Sequence, residues 1–142
     1  MTLGRVFVDT GAWFALQVED DAHHAAARRT FPALLAVCRS LVTSNLVIGE
    51  TYTLLRMTAG YAEAQRFIEK IKQSAKLERV FVTESGEQQA YQLLQRYADQ
   101  PFSFVDATSF VLMRQQRIRY AFAFDRHFVT AGFLRIPSEV QL

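Results

Sequence analysis

The 142-residue chain contains one cysteine, Cys38. A single thiol excludes an internal disulfide and a cysteine-built metal site, and it suits a reducing cytoplasm. Cys38 falls in the apolar run Leu34-Leu35-Ala36-Val37-Cys38 and reads as a small buried side chain. No apolar run approaches the roughly 20 residues that cross a bilayer. The opening MTLGRVFVDT lacks the apolar core and cleavage pattern of a signal peptide. The expectation is a cytoplasmic protein that does not engage a membrane. Glycine and proline are sparse, six and three, and there are no repeats, low-complexity tracts or linkers. One domain over residues 1–142 is expected. The net charge of +2 is too small to argue for nucleic acid, although arginine, which outnumbers lysine thirteen to three, suits bidentate phosphate contacts.

What the chain does have is apolar residues, half of the total, and twelve phenylalanines, enough for an aromatic core. Strand-like and helix-like stretches alternate. Arg5–Asp9, Leu41–Thr43, Val80–Val82 and Tyr120–Phe124 are short β-branched or aromatic runs of buried parallel-strand character, and Phe133–Ile136 reads as an edge strand stopped by Pro137. Between them come a short helix at Ala12–Leu16 and a helix led by Glu19-Asp20-Asp21, which Pro32 is expected to kink or divide. A third helix spans Leu46–Leu55, capped by Ser44 or Asn45. An amphipathic helix covers Tyr61–Lys76, and another covers Glu87–Ala98, with Tyr91, Leu94 and Tyr97 on its face. A further helix follows Asp106. Repeated β-α units predict a parallel sheet with helices on both faces.

Asp9 and Asp125 each end a strand-like run, and such carboxyl ends are where open α/β sheets keep their sites. Asp106 stands at a helix start, and Glu50 lies beside Gly49 in the first turn of the third helix. For any one of these acids, capping a helix or facing solvent is the ordinary account. Together they would repel one another unless a cation held them. Carboxylates without cysteine or histidine partners are hard oxygen ligands that suit Mg²⁺ or Mn²⁺, and Mg²⁺ favours phosphate oxygens. The cluster therefore suggests phosphodiester chemistry.

In this order, VFVDTGAWFAL, TSNLVIGETYTLL, FSFVDATSF and AFAFDRHF resemble the PIN-domain ribonucleases, and within them the VapC-type toxins of bacterial toxin–antitoxin pairs. The resemblance spans nearly the whole chain. It implies a three-layer α/β/α fold with a parallel sheet of about five strands. It also implies Mg²⁺- or Mn²⁺-dependent endonucleolytic cleavage of RNA by a homodimer that a small antitoxin silences. Carried over by motif, Asp9 and Asp106 match the principal metal ligands, and Asp125 matches the acid that completes or supports the metal site. Glu50 matches the helix-borne acid that orients water or acts as base. Thr10 matches a hydroxyl position supporting Asp9. Ala123 departs from the pattern, since many relatives carry Thr or Ser two residues before the last acid.

Two other PIN readings stay open, a nuclease of RNA maturation or decay without an antitoxin and a non-catalytic binding module. A phosphatase or DNA flap nuclease with a similar acid cluster is a further alternative. Arg114, Arg117, Arg119 and Arg126 are candidate phosphate contacts because they lie near the late aspartates in sequence. Trp13 is assigned to the core rather than to base stacking, and His127 is read as structural. His23 and His24 point about 100° apart on a helix and are read as surface residues.

Overall fold

A computed structural model describes residues 2–142. Five strands form one all-parallel sheet in the order β3-β2-β1-β4-β5. They are β1 (Gly4–Val8), β2 (Cys38–Ser44), β3 (Leu77–Val80), β4 (Tyr120–Phe122) and β5 (Leu134–Ile136). The helices are α1 (Thr10–Gln17), α2 (His24–Val37), α3 (Asn45–Ala59), α4 (Tyr61–Gln73), α5 (Glu84–Arg96), α6 (Phe104–Gln115) and the short α7 (His127–Thr130). The chain moves outward from β1 through β2 to β3, then returns to the other side of β1 for β4 and β5. Right-handed crossovers in the two directions place α1–α4 on one face and α5–α7 on the other. The direction of winding reverses between β1 and β4, which opens a crevice beyond their carboxyl ends.

The central strand is apolar without alternation because both its faces are covered. Val6, Phe7 and Val8 are fully buried. Phe7, Phe110, Phe128 and Phe133 pack ring against ring beneath α6, with Phe110 and Phe128 edge to face at 5.0 Å. Each such side chain is worth about 1.5–3 kcal/mol of burial. On the other face Trp13 packs against Phe31 and Phe67, and its indole N–H donates to Thr43 Oγ1 at 3.4 Å. Trp13 is thus a core residue, as expected. Cys38 is buried at the start of β2.

Several boundaries differ from the sequence reading. Pro32 neither ends nor divides α2, which runs unbroken through it. Glu19, Asp20 and Asp21 precede α2 instead of opening it, and Asp21 accepts the His23 N–H at 2.9 Å. β3 lies three residues earlier than predicted and leaves Phe81 exposed. α5 starts at Glu84, capped by the Thr83 hydroxyl, and buries Gly86, Ala90 and Leu93, while Tyr91 is exposed. Ser44 caps α3 by accepting the Val47 N–H at 3.1 Å. Among the described residues no helix is long and apolar enough to cross a membrane.

Candidate active site

Asp9 follows β1 and begins α1. Its N–H donates to Phe122 O of β4 at 3.1 Å, which ties it to the floor of the crevice between β1 and β4. Its carbonyl accepts the N–H groups of Ala12 and Trp13. Its carboxylate makes no capping hydrogen bond, so helix capping does not explain it. The residue is only 6% exposed. Burial first, and then the negative field of Asp106, raise its carboxyl from 3.8 to about 7. The Thr10 N–H opposes the rise, while Asp125 and Glu50 reinforce it. The four acids singled out in the sequence therefore share one electrostatic neighbourhood.

Asp106 is the third residue of α6, inside the first turn and not before the helix. It forms a capping box with Ser103: the Ser103 hydroxyl accepts the Asp106 N–H, and Asp106 Oδ2 accepts the Ser103 N–H, both at 2.9 Å. Asp125 lies three residues past the end of β4, exposed, with Oδ1 accepting the His127 N–H at 2.8 Å. Glu50 is the sixth residue of α3, in its second turn and not its first. It is exposed and borders a groove between α3 and α6 with Phe104 and Val105.

The tightest grouping adds a residue that sequence reasoning set aside. Asp106, Asp125 and His127 offer ligand atoms all within 4.8 Å of one another. His127 Nδ1 is 3.0 Å from Asp106 Oδ2 and 3.4 Å from Asp125 Oδ1. Asp9 is outside that trio but has Asp106 as its strongest charged neighbour. The Ser103 contribution had a signal in sequence, the Ser-x-x-Asp spacing of Ser103 to Asp106; the reach of His127 back across 21 residues had none.

The donor set fits a hard divalent cation. It is rich in carboxylate oxygens whose mutual repulsion a cation would relieve. The Thr10 Oγ1, buried beside Asp9, has no hydrogen-bond partner among the described residues. An orphaned hydroxyl at that depth is costly unless a ligand or an ordered water completes it. The fully buried Ser109 hydroxyl, one turn beyond Asp106 on α6, is likewise unpartnered.

The arginines separate. Arg126 stands beside Asp125 at the mouth of the crevice, exposed. Arg117 and Arg119 line a hollow with Arg5 and Arg39 at the amino ends of the strands, the opposite end of the sheet. Arg114 is spent on the Ala131 carbonyl at 3.0 Å. Nearness in sequence to the late aspartates misplaced these three, because β4 carries the chain from one end of the sheet to the other. His23 stacks on Phe124 at 4.4 Å, and His24 Nδ1 meets Ala15 O at 2.7 Å, so this pair shares no site.

A carboxylate cluster at the winding reversal of a five-stranded parallel sheet makes the crevice an acid-centred site suited to a divalent cation. The chain belongs to the PIN domain family, whose sequence model matches residues 6–134. It is 40% identical over 134 residues to the 23S rRNA-specific endonuclease VapC20 of Mycobacterium tuberculosis, in strains CDC 1551 / Oshkosh and ATCC 25618 / H37Rv. The match covers 94% of this chain and 99% of the relative. The crystal structure of Mycobacterium tuberculosis VapC20, described as a sarcin-ricin loop cleaving toxin, superposes with a TM-score of 0.83. That superposition has 40% identity and covers 91% of this chain and 96% of the other. Within the family, this chain is an endoribonuclease of the VapC toxin type.

Proposed function

We propose that this protein cleaves 23S ribosomal RNA in the cytoplasm, at the sarcin–ricin loop, using Mg²⁺ or Mn²⁺ held by Asp9, Asp106 and Asp125. The observation that carries the reading is the buried Asp9 carboxylate, facing three further acids and raised to about 7. The target follows the relative whose chain it matches almost end to end. When bound, the ion supplies Lewis-acid polarisation of the phosphate and offsets charge on the leaving oxygen. Glu50, exposed on α3 above the crevice, orients the attacking water and takes its proton. Arg126 receives a phosphate of the RNA backbone. The Thr10 N–H supports Asp9 by opposing the rise that burial imposes on its carboxyl.

Two protein partners complete the proposal. A second copy of the chain binds the apolar face between α3 and α6, where Leu54, Met57 and Phe104 are exposed around a groove of about 570 Å³. A small antitoxin binds a separate groove between α1, α2 and α4, floored by Trp13, Phe31 and Phe67 and rimmed by Arg28 and Lys70. An amphipathic segment with acidic flanks fits that combination.

The test is incubation of antitoxin-free protein with ribosomes and Mg²⁺ or Mn²⁺, followed by primer extension on 23S rRNA. One discrete stop in the sarcin–ricin loop, absent with EDTA and with Asp106→Asn, is expected. A stop elsewhere would reassign the target. Cutting that survives in Asp106→Asn would overturn the site, and no cutting in any lane would favour a binding module.

A further inference from the structure

His127 touches both late aspartates at once. Its backbone N–H donates to Asp125 Oδ1 at 2.8 Å, and its ring Nδ1 lies 3.0 Å from Asp106 Oδ2. That same Oδ2 accepts the Ser103 N–H at 2.9 Å. Both hydrogen bonds to Asp106 thus fall on one oxygen, while Oδ1 receives none among the described residues. The terminal torsion of an aspartate is broad and roughly two-fold, so an unrestrained carboxylate exchanges its oxygens freely. Two donors on one oxygen stop that rotation.

The histidine is itself held from two sides. Its ring meets the buried Phe102 edge to face at 5.1 Å, and Phe102 is locked against Phe110 at 5.1 Å. The next residue, Phe128, is fully buried in the aromatic core, which fixes the backbone that reaches Asp125. These contacts leave the imidazole little freedom to swing.

We propose that His127 is a positioning residue: it pins Asp106 by Oδ2 so that Oδ1 is presented to the divalent ion, and it yokes Asp125 to the same geometry. The role rests on the metal-dependent reading of the site. Partners that orient a ligand contribute to metal affinity without touching the metal. Mg²⁺ and Mn²⁺ prefer oxygen, and an Nδ1–H engaged with a carboxylate has no lone pair to give them. Asparagine in place of His127 can set its Nδ2 donor near the position of Nδ1, whereas glutamine extends its donor toward the position of Nε2.

The experiment is Mn²⁺ binding, by calorimetry and electron paramagnetic resonance, to native protein and to His127→Ala, His127→Asn and His127→Gln. Alanine and glutamine are expected to weaken Mn²⁺ binding at least about tenfold, with asparagine restoring most of it. The resonance of native protein is expected to show no nitrogen bound directly to Mn²⁺. Native binding matched by His127→Ala, with no rescue pattern, would overturn the positioning role alone. A directly bound imidazole nitrogen would also overturn it, making His127 a ligand. Native protein that binds no Mn²⁺ would overturn the metal reading together with this role.

Discussion

Arg135 Nη1 donates to the carbonyl of Phe124 at 2.9 Å, which ties the edge strand β5 to the residue just before Asp125. β4 has already ended at Phe122, so the guanidinium takes over where the strand ladder stops. Arg135 is in turn gripped by Glu139, with Nε and Nη2 donating to the two carboxylate oxygens at 2.9 and 2.8 Å. Removing the clamp with Arg135→Ala should cost about 1–3 kcal/mol in urea unfolding. The hydrogen bond from Arg135 holds the Glu139 carboxyl below its ordinary 4.5. A lowered folded-state value stabilises the protein above that ordinary pH, and the gain is lost as pH falls through the lowered value. Native protein should therefore lose more stability below pH 4.5 than Glu139→Gln does; parallel acid titrations would reject the clamp.

Asp9 carries the opposite sign. Its folded value is about 7 against 3.8 in the open chain, so the folded state holds this proton the more tightly. The resulting stability is fully present below about pH 4 and is lost as pH rises through 7. Without metal at pH 8, the native protein buries an ionised acid among three others. Asp9→Asn should then be more stable than native in EDTA at pH 8, by at most about 4 kcal/mol, with a smaller gain at pH 5. The same variant should not cleave RNA. Urea unfolding at both pH values checks this, and an equal gain at each would exclude charge as the cause.

The fold was legible because continuous apolar strands, alternating with capped helices, leave few arrangements besides a parallel sheet. Ser44, one of the two residues expected to cap α3, does cap it, and Asp9 and Asp125 each ended a strand-like run, where such sheets concentrate chemistry. Exposed helix faces were less legible. α5 buries small residues such as Gly86 and Ala90, so the bulkier Tyr91 marked the wrong stripe. Pro32 was misleading because a proline removes one N–H without stopping a helix whose other side is anchored by Ala27, Thr30 and Leu34. His127 was out of reach for another reason. Its partner Asp106 lies a helix and a strand away, and only the return of β4 beside β1 brings them together.

The same return separates the arginines by position. Arg126 is at the carboxyl end of the sheet beside Asp125, while Arg117 and Arg119 are at the amino end. Arg126→Ala should weaken RNA binding and reduce the slope of log K against log salt by roughly 1, the loss of one phosphate contact. Arg117→Ala and Arg119→Ala should leave cleavage of a short sarcin–ricin stem-loop unchanged. Filter binding of that RNA by a metal-free Asp106→Asn background, across a salt series, gives the comparison. An unchanged slope for Arg126→Ala would remove it from the RNA path.

Met57 is the most open of the large apolar residues on the described surface, 78% exposed, and it stands one turn from Leu54 on the α3 face that borders Phe104. In a lone protomer, Met57→Glu should be nearly silent, within about 0.5 kcal/mol, because an exposed helix position accepts glutamate readily. At the centre of an interface the same carboxylate would be stripped of water with no partner, a penalty of several kcal/mol. Light scattering behind size exclusion should therefore give native protein at twice the chain mass and Met57→Glu at the chain mass, with matching unfolding curves in dilute solution. Because Glu50 borders the same groove, a copy seated there would also shield the water side of the active site. Met57→Glu should then cut ribosomal RNA with altered kcat and retained Mn²⁺ affinity. A variant that still elutes as a dimer would move the interface off α3.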